Sequence, residues 1–178
     1  MDIPRIETER LILRAFREDD IESVAEMYAD SDVARFITHD GKPQDREYSW
    51  RTMTNLMGHW LLRGYGMWAV EEKASASPIG YVGPYYPETW PGQEIGWTIA
   101  KPCWGKGFAT EAALASLTYV RDVLRWPYVI HLIDPQNTRS AVVAERIGSR
   151  RDGEWIRNGR PLQIYGQRLS ATQNHSRR

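Results

Sequence analysis

Two glycines set one residue apart, in the run Trp104-Gly105-Lys106-Gly107-Phe108-Ala109-Thr110-Glu111-Ala112, carry the most specific chemistry in this chain. They lie between a strand-like run, Glu94 to Ala100, and a helix-like run, Ala109 to Leu124. A turn of small residues there leaves backbone N–H groups without partners at a helix N-terminus, where the helix dipole adds partial positive charge. Glycine has no Cβ, so a ligand can approach that backbone closely. The product is an anion site built from main chain, suited to phosphate. A Walker loop needs Ser or Thr after its Lys, and Lys106 is followed by Gly107. A dinucleotide fingerprint needs a third glycine near the start of a βαβ unit, which is absent. ATP or GTP binding would also need an acidic motif placed to hold Mg²⁺, and none is visible.

A second motif follows at the distance of one helix and one strand. In Asn137-Thr138-Arg139-Ser140-Ala141-Val142-Val143-Ala144-Glu145-Arg146-Ile147-Gly148, Asn137 reads as a helix cap or first-turn residue and Gly148 as the helix stop. The two motifs together resemble the GNAT superfamily of N-acetyltransferases. Gly107 and Ala109 fill the small positions of its Gln/Arg-x-x-Gly-x-Gly/Ala acyl-CoA signature, and Trp104 stands where Gln or Arg is usual. Trp at that place, the Asn137 motif and the opening Ile6-Glu7-Thr8-Glu9-Arg10-Leu11-Ile12-Leu13-Arg14 look like the branch that acetylates ribosomal-protein N-termini. The resemblance runs from Glu7 to about Arg168.

The resemblance implies acetyl-CoA as cosubstrate and a primary amine as acceptor, by direct transfer in a ternary complex. The pyrophosphate would sit on the amides of Gly105, Lys106, Gly107, Phe108, Ala109 and Thr110, beside Trp104. The pantetheine arm would pair with the strand edge at Trp97, Thr98 and Ile99, with Asn137 bonding it from the other side. Lys106 or Arg139 would meet the nucleotide phosphates. A bulged amide in the Trp97–Ile99 strand would polarise the thioester, and Glu94 would take the amine proton through water. Many relatives use a Tyr seven residues after the helix Asn as general acid; here that residue is Ala144. Ser140 is the catalytic candidate in its place, with Tyr165 behind it. The missing Tyr also leaves open a non-catalytic acyl-CoA-binding or regulatory module on the same fold. Phe36, Tyr85, Tyr86 and Trp90 would wall the acceptor pocket, with Glu88 or Glu94 for a cationic amine. The acceptor would be a protein N-terminus, an aminoglycoside-like or polyamine compound, or an amino acid.

Composition sets the frame for these residues. The 178-residue chain is 42% hydrophobic and 26% charged with a formal net charge of zero. That suits one domain, residues 1–170, with a polar tail at 171–178, and gives no electrostatic footprint for nucleic acid. No apolar run approaches the roughly 20 residues of a membrane span, so a cytoplasmic enzyme without a membrane partner is expected, as monomer or homodimer. The lone Cys103 leaves no internal disulfide, and with no His motif nearby it reads as structural rather than nucleophilic. His39, His59, His131 and His175 are scattered without metal-ligand spacing, so no metal is expected.

The elements that must position the site read as βααβββαβαββ, an α+β arrangement with a mixed sheet of about seven strands and helices on both faces. The expected strands are Glu9–Phe16, Met67–Glu72, Ile79–Val82, Glu94–Ala100, Tyr128–Ile133, Arg151–Arg157 and Leu162–Leu169. A helix starts at Asp19-Asp20, and a second spans Gln44 to Arg63 with Trp50, Met53, Met57 and Trp60 on its inner stripe. Asp30 to Pro43 reads as a loop. The resemblance adds a splay between the fourth and fifth strands that admits the pantetheine arm.

Overall fold

The computed structural model describes residues 2–170, so the 171–178 tail expected from the sequence lies outside the described residues. In chain order the elements are β1 (Ile6–Glu7), β2 (Leu11–Arg14), α1 (Ile21–Ala29), α2 (Ser31–Ile37), α3 (Arg46–Arg63), β3 (Trp68–Glu72), β4 (Ser77–Tyr85) and β5 (Glu94–Ile99). Then come α4 (Phe108–Tyr119), β6 (Tyr128–Ile133), α5 (Thr138–Arg146), β7 (Arg150–Arg157) and β8 (Arg160–Arg168). The strands form one eight-stranded sheet in the order β1-β2-β3-β4-β5-β6-β8-β7. Every pairing is antiparallel except β5 with β6. The extra strand relative to the expected seven is β1, two residues that pair with β2.

Helices cover both faces, as the α+β pattern predicts. On one face Phe108, Ala112, Ala113 and Leu117 of α4 pack on Leu11, Val70, Val82 and Ile95. On the other, Val24, Met27 and Tyr28 of α1 and Met53 and Leu56 of α3 pack on Ala69 and Tyr81. Burial stabilises the fold by about 1.5–3 kcal/mol for each Val, Leu, Ile, Phe or Met among them. A buried ion cluster ties the first strands to α1. Arg14 donates two bonds to Asp20, at 2.7 and 2.8 Å, and a third to Glu71 at 2.6 Å.

Three local expectations are corrected. The Asp30–Pro43 stretch holds α2, capped by Asp30, whose Oδ1 accepts from the Asp32 and Val33 amides at 2.8 and 3.2 Å. Polar residues and the Gly41/Pro43 pair mask this short helix in the sequence, and Val33 and Ala34 bury its one apolar face. In α3, Trp50 and Met57 are 45% and 39% exposed. Its buried face is rotated toward Ser49, Leu56 and His59, keeping Met53 and Trp60. Finally, β4 continues through Gly83 and Pro84 to Tyr85. A Cβ on Gly83 would meet Gly66 O and Met67 Cα at 2.6 Å, so glycine marks a close approach there rather than a strand end.

Candidate active site

The strand β5 divides the site because its two neighbours treat it differently. With β4 it pairs without a register shift from Gly80↔Ile99 to Tyr85↔Glu94. With β6 it pairs only at Glu94↔Ile130, where the Ile130 amide donates to Gln93 O at 2.9 Å. The strands then part, and side chains replace the ladder. The Leu132 N–H donates to Glu94 Oε1 at 3.1 Å, and His131 Nδ1 donates to Ile95 O at 2.7 Å. The carbonyl can only accept, which fixes the proton on Nδ1 and leaves Nε2 to accept from Ser149 Oγ at 2.9 Å. Gln167 donates in turn to that hydroxyl at 2.9 Å. Burial holds the His131 imidazole neutral, its pKa pushed down to about 4.

The splay lies where the resemblance places it, between the fourth and fifth of the seven expected strands. The expected bulge at Trp97–Ile99 is absent, because the β4–β5 register is continuous. The edge is opened by the departure of β6 instead. The carbonyls of Ile95 and Ile99 face the gap, taken by His131 and by Trp104 Nε1 at 2.6 Å. Strand alternation turns the Trp97 N–H and C=O into the same gap, while Thr98 O faces Gly80 of β4.

The glycine turn forms the N-terminus of α4. Gly105 and Gly107 both have positive φ, +76° and +83°, a conformation that L side chains rarely adopt. Gly107 is the N-cap and brings no side-chain acceptor to the first-turn amides. The turn is pinned from the chain's opening segment. Glu111 Oε1 accepts from Thr8 Oγ1 at 2.6 Å and from the Arg10 amide at 2.9 Å, and Oε2 accepts from Arg10 Nε at 2.7 Å. Arg10 Nη1 also donates to Lys106 O at 2.8 Å, and its guanidinium lies 4.6 Å from the Phe108 ring centre. Burial works to raise the Glu111 carboxyl, and the bonds from Thr8 and Arg10 overcome it and hold it below the usual range.

A cavity of about 360 Å³ runs from this turn to β5 and α5. It is lined by Trp97, Thr98, Ile99, Trp104, Gly105, Gly107, Phe108, Ala109, Thr110, Asn137 and Ser140 of the sequence-derived set. Lys106 is outside the lining; Arg139 and Arg146 supply the basic groups instead, Arg139 stacking 4.5 Å over Trp104. Asn137 caps α5, its Oδ1 accepting from the Ser140 amide at 3.2 Å, which leaves the Nδ2 donors for a ligand. Cys103 also lines this cavity, and burial raises its thiol, against a nucleophilic role.

A second cavity of about 220 Å³ shares Phe36, Ile37, Trp97, Thr98, Asn137 and Ser140 with the first. Glu94 lines it and is 7% exposed, so it is not a strand-end carboxylate in solvent. Its Oε2 accepts from Trp90 Nε1 at 2.6 Å. Burial pushes the carboxyl up to about 7, against the opposing bonds from Leu132 and Trp90 and the charge of Arg157. Phe36, Tyr85 and Trp90 form walls, as the sequence suggests. Tyr86 and Glu88 are absent from the lining, Glu88 being an exposed partner of Arg63 at 2.7 Å. Tyr165 lines neither cavity; it is buried with Ala144 and Ile133. Tyr81, His131 and Arg157 reach the cavity from β4, β6 and the end of β7, and no local motif in the sequence marks any of them as site residues. Among the described residues no cluster of His, Cys, Asp or Glu could hold a metal ion, and no helix is long and apolar enough to cross a membrane.

Residues 10–150 match the family model described as an acetyltransferase (GNAT) domain. The chain is 30% identical over 165 residues to the uncharacterized protein YkkB of Bacillus subtilis (strain 168), covering 90% of this chain and 94% of that one. A crystal structure of an acetyltransferase from Agrobacterium tumefaciens str. C58 superposes with a TM-score of 0.81 at 29% identity, over 94% of this chain and 95% of that one. RimL, a ribosomal L7/L12 α-N-protein acetyltransferase solved in complex with coenzyme A, shares the fold with a TM-score of 0.77 at 16% identity, over 94% and 99% of the two chains.

Proposed function

The chain belongs to the GNAT family of acetyltransferases, and we propose that it moves an acetyl group from acetyl-CoA to a primary amine by direct transfer in a ternary complex. One observation carries the reading: two cavities meet at Trp97 and Thr98, one ending on the glycine turn and the other on a buried carboxyl. The coenzyme A bound to RimL, on the same fold, supports acetyl-CoA as the cosubstrate, and the α4 N-terminus without a side-chain cap points to the first cavity as its channel. There the pyrophosphate rests on the amides of Gly105 to Thr110, and Arg139 and Arg146 meet the nucleotide phosphates. The pantetheine donates to the Trp97 C=O as an added strand, which leaves the Trp97 N–H for the thioester.

The amine enters the second cavity as an ammonium and loses its proton, through water, to Glu94. A carboxyl with a pKa near 7 is matched to that task at neutral pH. The neutral nitrogen attacks the thioester carbonyl, whose oxygen gains charge facing the Trp97 N–H. The C–S bond breaks as the tetrahedral intermediate collapses, and the proton that the newly bonded nitrogen sheds passes to the departing thiolate by way of the Ser140 hydroxyl, which lines both cavities and gives up one proton as it takes the other. The reading of the fold as a non-catalytic acyl-CoA module loses support, because it gives no account of a buried carboxyl that faces the second cavity without an ion-pair partner among the described residues.

Acetyl-CoA should stabilise the protein against heat, by about 2.7 kcal/mol at one hundred times its dissociation constant. An amine screen reading free CoA then tests transfer. An unchanged melting temperature with no heat of binding would overturn the cofactor assignment.

A further inference from the structure

Resting on that reading, we propose that the acceptor is an α-amino acid and that Arg157 selects it by its carboxylate. The charged groups lining the acceptor cavity are Glu94, Asp134 and Arg157. Asp134 is committed to Arg160, 3.1 Å away. Arg157, at the end of β7, lays its guanidinium over Trp90, 4.4 Å from the ring centre, and has no ion pair among the described residues. The same indole donates to Glu94 at 2.6 Å. One side chain thus holds a proton acceptor on its edge and a cation on its face.

This arrangement discriminates among amines. An ammonium drawn to Glu94 comes to rest beside the positive Arg157. A polyamine or aminoglycoside would add further positive charges there, with no second free carboxylate in the cavity to receive them. A peptide N-terminus would offer Arg157 only a neutral carbonyl. An α-carboxylate beside the amine converts the repulsion into a charge-assisted, bidentate hydrogen bond. Phe36, Tyr85 and Leu162 then form apolar walls for a side chain, in a cavity of about 220 Å³.

The test compares L-phenylalanine with L-phenylalaninamide and spermidine as acceptors, for the parent and Arg157→Gln. The amide's amine is less basic, so more of it is already neutral, and a preference for the acid cannot come from amine basicity. Arg157 keeps one face in water, so the expected advantage of the acid in kcat/KM is about 10-fold rather than many thousandfold. In Arg157→Gln the acid-to-amide ratio should fall to about one or below, while calorimetry with acetyl-CoA shows the variant folded. A parent that binds acetyl-CoA yet acetylates the acid no faster than the amide, acetylates neither, or prefers spermidine overturns the proposal. So does a ratio unchanged in Arg157→Gln. A parent that fails to bind acetyl-CoA at all would instead overturn the cofactor reading beneath it.

Discussion

The two cavities are built from different materials. The cofactor side is mostly main chain: two glycines with positive φ, the first-turn amides of α4 and the unpaired edge of β5. The acceptor side is mostly side chain: Glu94 from β5, Trp90 from the loop before it, Tyr81 and Tyr85 from β4, Phe36 from α2 and Arg157 from β7. A main-chain site is specified where the backbone turns, so its signature is local and tolerates few substitutions. A side-chain site is assembled from segments far apart in sequence, and each member can change alone. The first kind suits a cofactor that never varies, the second an acceptor that does.

The contrast breaks first at Gly107. Gly107→Val should weaken acetyl-CoA binding by about 10²-fold or more, since a β-branched residue resists φ +83° and its side chain obstructs the phosphate cradle. Calorimetric affinities within a few-fold of the parent would mean the turn is not the phosphate site. The next largest effect belongs to the clamp that holds the turn. Glu111→Ala removes the acceptor for Thr8 and Arg10 and should cost about 1–3 kcal/mol of stability in urea unfolding. Acetyl-CoA affinity should fall with it, whereas a purely structural role would leave that affinity intact.

A pH series sharpens the acceptor side. The Glu94 carboxyl sits higher in the fold than in the unfolded chain, about 7 against 4.5. The protonated form is therefore favoured by folding, and the parent loses stability as pH rises from about 4.5 through 7. Glu94→Gln cannot titrate, so its stability relative to the parent should climb across that window and level off above it. His131 runs the other way: its pKa is depressed, so its contribution is full above 6.5 and lost as pH falls toward 4. His131→Gln should flatten that acid limb. The smallest effect is expected from Cys103→Ser, with changes in turnover under about twofold, since burial raises its thiol. A dead Cys103→Ser variant that still binds acetyl-CoA would favour covalent catalysis through the cysteine.

The same division explains what the sequence reveals. The glycine turn, the Asn137 cap, most strand positions and the splay follow from local pattern or from the resemblance that pattern carries. Glu94 is legible as a position, but its burial is not, because Leu132 and the covering indole arrive through the fold. The Thr8–Arg10–Glu111 clamp joins residues about a hundred positions apart, so its two motifs are readable separately and their contact is not. In α3 the large apolar residues suggest one face, and packing selects another that includes Ser49 and His59. Arg157 lies on an exposed edge strand, where the sequence offers only one arginine among many.

In the proposed reaction Glu94 takes the proton of an amine held against a cofactor that Glu94 itself does not bind. The direct measurement is the pH–rate profile of Glu94→Gln with two acceptors of different basicity, alongside acetyl-CoA affinity by calorimetry. Affinity should be unchanged, the rate lower by about 10²-fold at neutral pH, and the rising limb near pH 7 lost with both acceptors. Turnover like the parent's at every pH with both acceptors would contradict that role, and would mean that the amine arrives already neutral and Glu94 only supports the strand.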